Sequence, residues 1–140
     1  MSVPAGERGE GKLEVITKAR ALASYTIRIT KNQNVFKPEY NDAITADLIR
    51  MAKDIYISAW NANNIKVAHD HDNAVERIRL QKHAVLQCNN LLALMQLAKE
   101  VFHLSSKRIK YWAGLTMEVR SYIRRWNESD RKRYSPELRS

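Results

Sequence analysis

The sequence predicts an all-α fold, an antiparallel up-down-up-down four-helix bundle, and three observations carry that prediction. Between Lys12 and Ser135 the only helix-breaking residues are Pro38 and Gly114. Apolar residues recur at helical spacing in four successive segments joined by short polar breaks. No alternating run bounded by turn residues interrupts them, so strands are not expected. The length of 140 residues suits one domain with a single core.

The expected organisation is a flexible leader over residues 1–11, a bundle over 12–128 and a basic C-terminal tail over 129–140. Gly6, Gly9 and Gly11 mark the leader, which has no apolar stretch of a secretory signal. The first helix runs from about Lys12 to Lys31. In it Val15, Leu22 and Ile29 recur every seven residues, and Ile16, Ala19, Ala23 and Ile27 widen the stripe. Asn32-Gln33-Asn34 ends it, because Asn is a poor helix-interior residue.

Pro38 fits the first position of a second helix, with Glu39 and Asp42 at the favourable end of its dipole. That helix extends to Asn63 through Tyr40, Ile44, Leu48, Met51, Ile55 and Ala59, which keep one face apolar. The segment Trp60-Asn61-Ala62-Asn63-Asn64 closes it with amide side chains suited to capping carbonyls or to contacting a ligand. Capping is the commoner use.

A loop from Ile65 to Asp72 carries His69-Asp70-His71-Asp72. Two histidines two residues apart, with no second ligand group nearby, fall short of a zinc site. A polar connection rich in helix-starting residues explains them. The third helix, from Asn73 to about His103, should open on a capping box of Asn73 and Glu76. With Ile78 at heptad position a, Val85 and Leu92 follow at a. Gln81, Cys88, Met95 and Phe102 occupy d, and Ala84, Leu91 and Ala98 occupy g. Leu80, Leu94 and Val101 at c, with Leu86 and Ala93 at b, extend the apolar surface onto a second face. Such a face marks a subunit interface or a helix enclosed by its neighbours. Cys88 reads as a small core residue, and His83 at position f as solvent-facing. As the sole cysteine, Cys88 allows no intramolecular disulfide, which points to a cytoplasmic setting.

Ser105 or Ser106 can cap a fourth helix from Lys107 to Asn127. Ile109, Thr116 and Ile123 fall at a; Trp112, Val119 and Trp126 fall at d. Gly114 inside it costs about 1 kcal/mol relative to Ala, which a close approach of a neighbour would explain. Beyond Trp126 the chain should fray.

The net charge is +9, and from Lys107 onward ten Lys/Arg stand against four acids. A concentrated cationic field points to an anionic partner, with nucleic acid foremost. The candidate contacts are Lys107, Lys110, Arg124 and Arg125 on the outer positions of the fourth helix, and Arg120 at the core edge. Arg131, Lys132 and Arg133 continue them into the tail. The same stripe also suits an ordinary solvated helix face. No base-reading module is present, so binding would address backbone or shape.

Catalytic signatures are absent: there is no Gly-rich phosphate loop, no HExxH and no GxSxG. One Glu-x-x-His pair, Glu100 and His103, is half of what a di-metal bundle needs on two helices. No catalytic, cofactor-binding or metal-binding residue is expected, and no apolar run reaches the roughly 20 residues of a membrane span.

Four segments carry a family resemblance. They are Leu48-Ile49-Arg50-Met51-Ala52-Lys53-Asp54-Ile55, Trp60-Asn61-Ala62-Asn63-Asn64-Ile65, Asn89-Asn90-Leu91-Leu92-Ala93-Leu94-Met95-Gln96, and Phe102-His103-Leu104-Ser105-Ser106-Lys107-Arg108 leading to Tyr111-Trp112. Together they resemble the four-helix-bundle superfamily of ribosomal-RNA intervening-sequence proteins. Within it they look most like the accessory variability determinant (Avd) family of diversity-generating retroelements. These are packing and capping patterns, and they extend over about Lys12 to Tyr134. The resemblance implies a non-catalytic, positively charged, pentameric subunit that binds a reverse transcriptase and nucleic acid. That nucleic acid is template RNA, with DNA a further candidate. It assigns nucleic-acid contact to no particular position. The alternatives are an intervening-sequence-type bundle with a structural or unknown role, and a bundle enzyme or metal protein using Glu100 and His103.

Overall fold

The computed structural model describes residues 5–140, with side chains from Glu14 onward. Its described residues form helices and connections, with no strand among them. The long helices are α1 (Ala5–Thr30), α2 (Ala46–Asn64), α3 (His71–Phe102) and α4 (Ser106–Arg133), followed by a single turn, α5 (Ser135–Leu138). Both α1 and α3 pack on α2 and α4, so the four long helices form a helical bundle around one core.

Large and small side chains fill that core in alternation. Trp112, Phe36, Leu22, Leu48, Ile55, Leu91, Met95 and Ile123 are fully enclosed, and Ala19, Ala52, Ala59, Ala84 and Ala98 leave room for them. The indole Nε1 of Trp112 donates to Thr26 Oγ1 at 3.0 Å, and the Thr26 hydroxyl donates to the Leu22 carbonyl at 2.9 Å. A buried polar edge is thereby satisfied across two helices. Phe36, from the connection after α1, plugs one end of the bundle against Phe102, with ring centroids 5.1 Å apart.

Several element ends differ from the sequence expectation. The first helix begins at Ala5, so residues 5–11 of the expected leader are helical, while residues 1–4 lie outside the described residues. Glycine's poor helix propensity predicts a leader there, but three glycines do not stop a helix whose later turns pack into the bundle. Pro38 opens a 3-10 turn, Pro38–Tyr40, and a π turn, Asn41–Thr45, leads into α2. At the far end of α2 the Asn64 amide donates to the Trp60 carbonyl at 2.9 Å, a capping contact as expected.

The cap of α3 is Asp70 rather than Asn73. Its carboxylate accepts the Asn73 N–H at 2.9 Å, while Glu76 pairs with Arg79 on the same helix. A carboxylate beside free N–H groups and the positive end of the dipole is the stronger cap. His103 takes the left-handed conformation that stops α3, and Ser105 then caps α4 by accepting from the Arg108 N–H at 3.1 Å. Gly114 has open space where a Cβ would stand, so the expected close approach is not there.

The largest difference is the C-terminal segment. Instead of fraying after Trp126, α4 continues to Arg133, and Asn127 and Asp130 are buried. Asp130 extends the column of Ile109, Thr116 and Ile123 by another seven residues, but as a charged core residue. Its Oδ2 accepts from Arg77 Nε and from Gln81 Nε2, each at 2.7 Å. Gln81 Oε1 accepts in turn from Asn127 Nδ2 at 2.9 Å. Arg77 Nη1 donates to the Ala62 and Ile65 carbonyls at 3.1 and 3.0 Å, capping α2 from α3. Trp126 and Tyr134 cover the guanidinium, with ring centroids 5.3 and 5.6 Å away.

Arg77 and Asp130 are 3% and 1% exposed, so removing either leaves an uncompensated buried charge. Asp130→Ala should lower the urea unfolding free energy by about 3–5 kcal/mol. A loss below about 1 kcal/mol would mean that the network adds nothing to the fold.

Candidate nucleic-acid interface

Heptad geometry sorts the eight candidate cations of the C-terminal region into two groups. Lys110, Arg124 and Arg131 share one seven-residue column on the outside of α4, and Arg125 and Lys132 share the adjacent one. Lys107 stands at its first turn, and all six are exposed. At 1.5 Å per residue, Lys107 to Lys132 spans about 38 Å. Tyr111 and Met117, 58% and 45% exposed, lie between the cations on the same face. The Arg125 guanidinium sits 4.6 Å from the ring centroid of Tyr122, which holds its planar fork.

Acids on this face are few and engaged. Glu118 pairs with Lys18 of α1, and Glu128 lies 3.9 Å from Lys132. The latter pair is exposed on both sides and contributes little. Arg120 and Arg133 differ from the other six. Arg120 donates to Asn89 Oδ1 of α3 at 2.8 Å. Arg133 turns toward the buried network, 3.9 Å from Asp130 Oδ1, with its ring neighbour Tyr134 at 5.9 Å. Arg133 leans that way because α4 continues through it and places it at position d, where a frayed tail would have no fixed direction.

The second apolar face of α3 divides in the same way. Leu80, Leu94 and Val101 pack against the core of their own bundle. Leu86 and Leu97 stay about half exposed, at 53% and 47%, with Ala93 exposed between them.

Other reactive groups sit elsewhere. Cys88 is buried, and that burial pushes its thiol up to about 12 against the charges of Arg120 and Arg124. A thiol so placed carries no thiolate near neutral pH. Glu100 and His103 line a depression of about 670 Å³ with Gln96, Lys99 and Leu104. The start of α3 and the loop before it receive α5: His71 Nδ1 lies 2.7 Å from the Glu137 carbonyl oxygen, and His69 Nδ1 lies 3.8 Å from Glu137 Oε1. Among the described residues no three His, Cys, Asp or Glu side chains gather as a metal would require.

His83, expected in solvent, instead joins α3 to α2. Its Nε2 lies 2.6 Å from Asp54 Oδ2, which also accepts from Gln87 Nε2 at 2.6 Å. The Ser58 hydroxyl donates to Asp54 Oδ1 at 3.2 Å. A serine bonded to the carboxylate and not to the imidazole lacks the contact that would activate it. The cluster is a helix-to-helix clamp.

Comparison of the chain with protein-family models, with curated proteins and with solved structures finds no match. No helix among the described residues is long and apolar enough to cross a membrane.

Burial raises the Asp54 carboxyl, but Gln87, the bond and charge of His83, and Ser58 outweigh it and hold its pKa below the usual value. The folded state therefore binds that proton less readily than the unfolded chain. The resulting stability is full above about pH 4 and is lost as pH falls through the depressed pKa. Acid unfolding followed by circular dichroism should show a shallower pH dependence in Asp54→Asn than in the parent. An unchanged slope would contradict the clamp.

Proposed function

We propose that this chain is a non-catalytic accessory subunit of a diversity-generating retroelement reverse transcriptase. In that role it binds the polymerase and the template RNA, and DNA as well where the copying reaction presents it. The observation that carries nucleic-acid binding is the outer face of α4, with Lys107, Lys110, Arg124, Arg125, Arg131 and Lys132 exposed along a rigid helix. Regular columns of cations can follow a phosphate backbone, releasing its counterions. Tyr111 offers a ring on which an unpaired base could stack.

The polymerase partner and the pentamer follow from the family resemblance. The up-down-up-down direction of the helices follows from short connections between neighbours in the bundle. Support for self-association is the Leu86, Ala93 and Leu97 strip of α3, which the chain's own bundle leaves exposed. Arg120 belongs to the proposed interface only weakly, since Asn89 of α3 holds it, while Arg133 is exposed at the edge of the face beside the buried Asp130. The subunit needs no metal or cofactor for this task and would act by holding RNA and polymerase together.

Replacing Lys110, Arg124, Arg125, Arg131 and Lys132 with Glu should weaken RNA binding at least about a hundredfold at low salt. The helical circular dichroism signal should stay unchanged, because these side chains are exposed. Unaltered RNA affinity in that variant would make the face an ordinary solvated surface.

A further inference from the structure

A second basic feature lies on α1 and α2 and uses none of the α4 cations. Ala23 and Ile27 of α1, with Tyr56 and Ile57 of α2, line an open groove of about 390 Å³. Its charged lining consists of Arg20, Arg28 and Lys53, with no acid. Two of these cations are held in place. Arg20 Nε donates to the Tyr56 hydroxyl at 3.2 Å, and its guanidinium lies 5.4 Å from that ring's centroid. Arg28 Nη1 donates to Ser24 Oγ at 2.9 Å.

Apolar surface continues past the groove along α2. Ile57 is 47% exposed and Trp60 45% exposed, and the Trp60 ring packs 6.2 Å from that of Tyr56. We propose that this groove docks an acidic amphipathic helix from a partner protein. Its apolar stripe would lie on Ile27 and Ile57, and its carboxylates would meet Arg20, Arg28 and Lys53.

The spacing of the cations and the apolar surface beside them select that occupant. Arg20 and Arg28 are eight residues apart, about 12 Å along α1. A ligand with one carboxylate, such as a fatty acid, engages one of them and leaves the other unused. Acids two turns apart on a helix match both, and the helix also covers Ile57 and Trp60. Cations fixed before binding lose less freedom when the partner arrives, so their pairing contributes more. The absence of acids rejects a basic helix by like-charge repulsion.

The test uses the full chain and a fluorescein-labelled helical peptide of about 15 residues, with leucines along one face and glutamates flanking them. Anisotropy should show saturable binding, and a twin peptide with lysines in place of the glutamates should not bind. Ile57→Asp, and separately Arg28→Glu with Lys53→Glu, should each weaken binding at least about tenfold. Arg124→Glu with Arg125→Glu should leave it unchanged, and RNA binding should survive the groove substitutions. The two proposals therefore fail separately. Because Arg28, Lys53, Ile57, Arg124 and Arg125 are all exposed, circular dichroism should report an intact fold.

Four results would overturn the groove assignment. They are no binding of the acidic peptide, equal loss from the α4 substitutions, displacement of the peptide by equimolar oleate, and a change in oligomer mass caused by Ile57→Asp.

Discussion

The buried pair of Arg77 and Asp130 ties three helices together at one end of the bundle. One guanidinium, at 3% exposure, reaches the Asp130 carboxylate of α4 and two carbonyls at the end of α2 while belonging to α3. Taking two charges out of water costs several kcal/mol each, so the pair is weak evidence for stability in itself. Its consequence is specificity. A slip of α4 by one residue would move Asp130 away from Arg77 and strand both charges in the core. Fixing the register of α4 also fixes the direction in which its outer cations point, which links a buried contact to the proposed surface function.

The apolar frame could be read from the sequence because its period is simple. Ile109, Thr116 and Ile123, with Trp112, Val119 and Trp126, repeat every seven residues, and the structure buries all six. The polar members of the same columns were hidden by their charge. Asp130 continues one column of α4, and Arg77 precedes Ala84, Leu91 and Ala98 in one column of α3. Hydrophobic periodicity gives a charged residue no weight, although the spacing places both inside. Adding the chemical complementarity of Arg77, Gln81, Asn127 and Asp130 to the period would have kept α4 helical beyond Trp126.

Caps and surface sites depend on information that a linear pattern lacks. Asp70 and Asn73 both suit a helix start, and the left-handed residues Ala68 and His69 lie just before the one that caps, Asp70. The cationic face was readable as a charge excess. Its division into six outward cations, with Arg120 bonded to Asn89 and Arg133 leaning toward Asp130, requires the partners Asn89 and Asp130 to be in place. The groove between α1 and α2 left no trace in the pattern, because its residues come from two helices and are unremarkable on each. Two separate surfaces thus gather cations with few or no acids of their own to neutralise them. One is a long face suited to a polyanion, and the other a short groove with an apolar floor.

The proposed function rests on the α4 face binding RNA through its backbone phosphates. RNA affinity of the purified chain, measured across a salt series with its mass determined in the same buffers, tests it most directly. For six phosphate contacts on a single strand, log K should fall against log salt with a slope of about −4. The species should be an oligomer of constant mass throughout. A monomer without affinity for RNA even at low salt would contradict the account and leave the charge as a solvated surface.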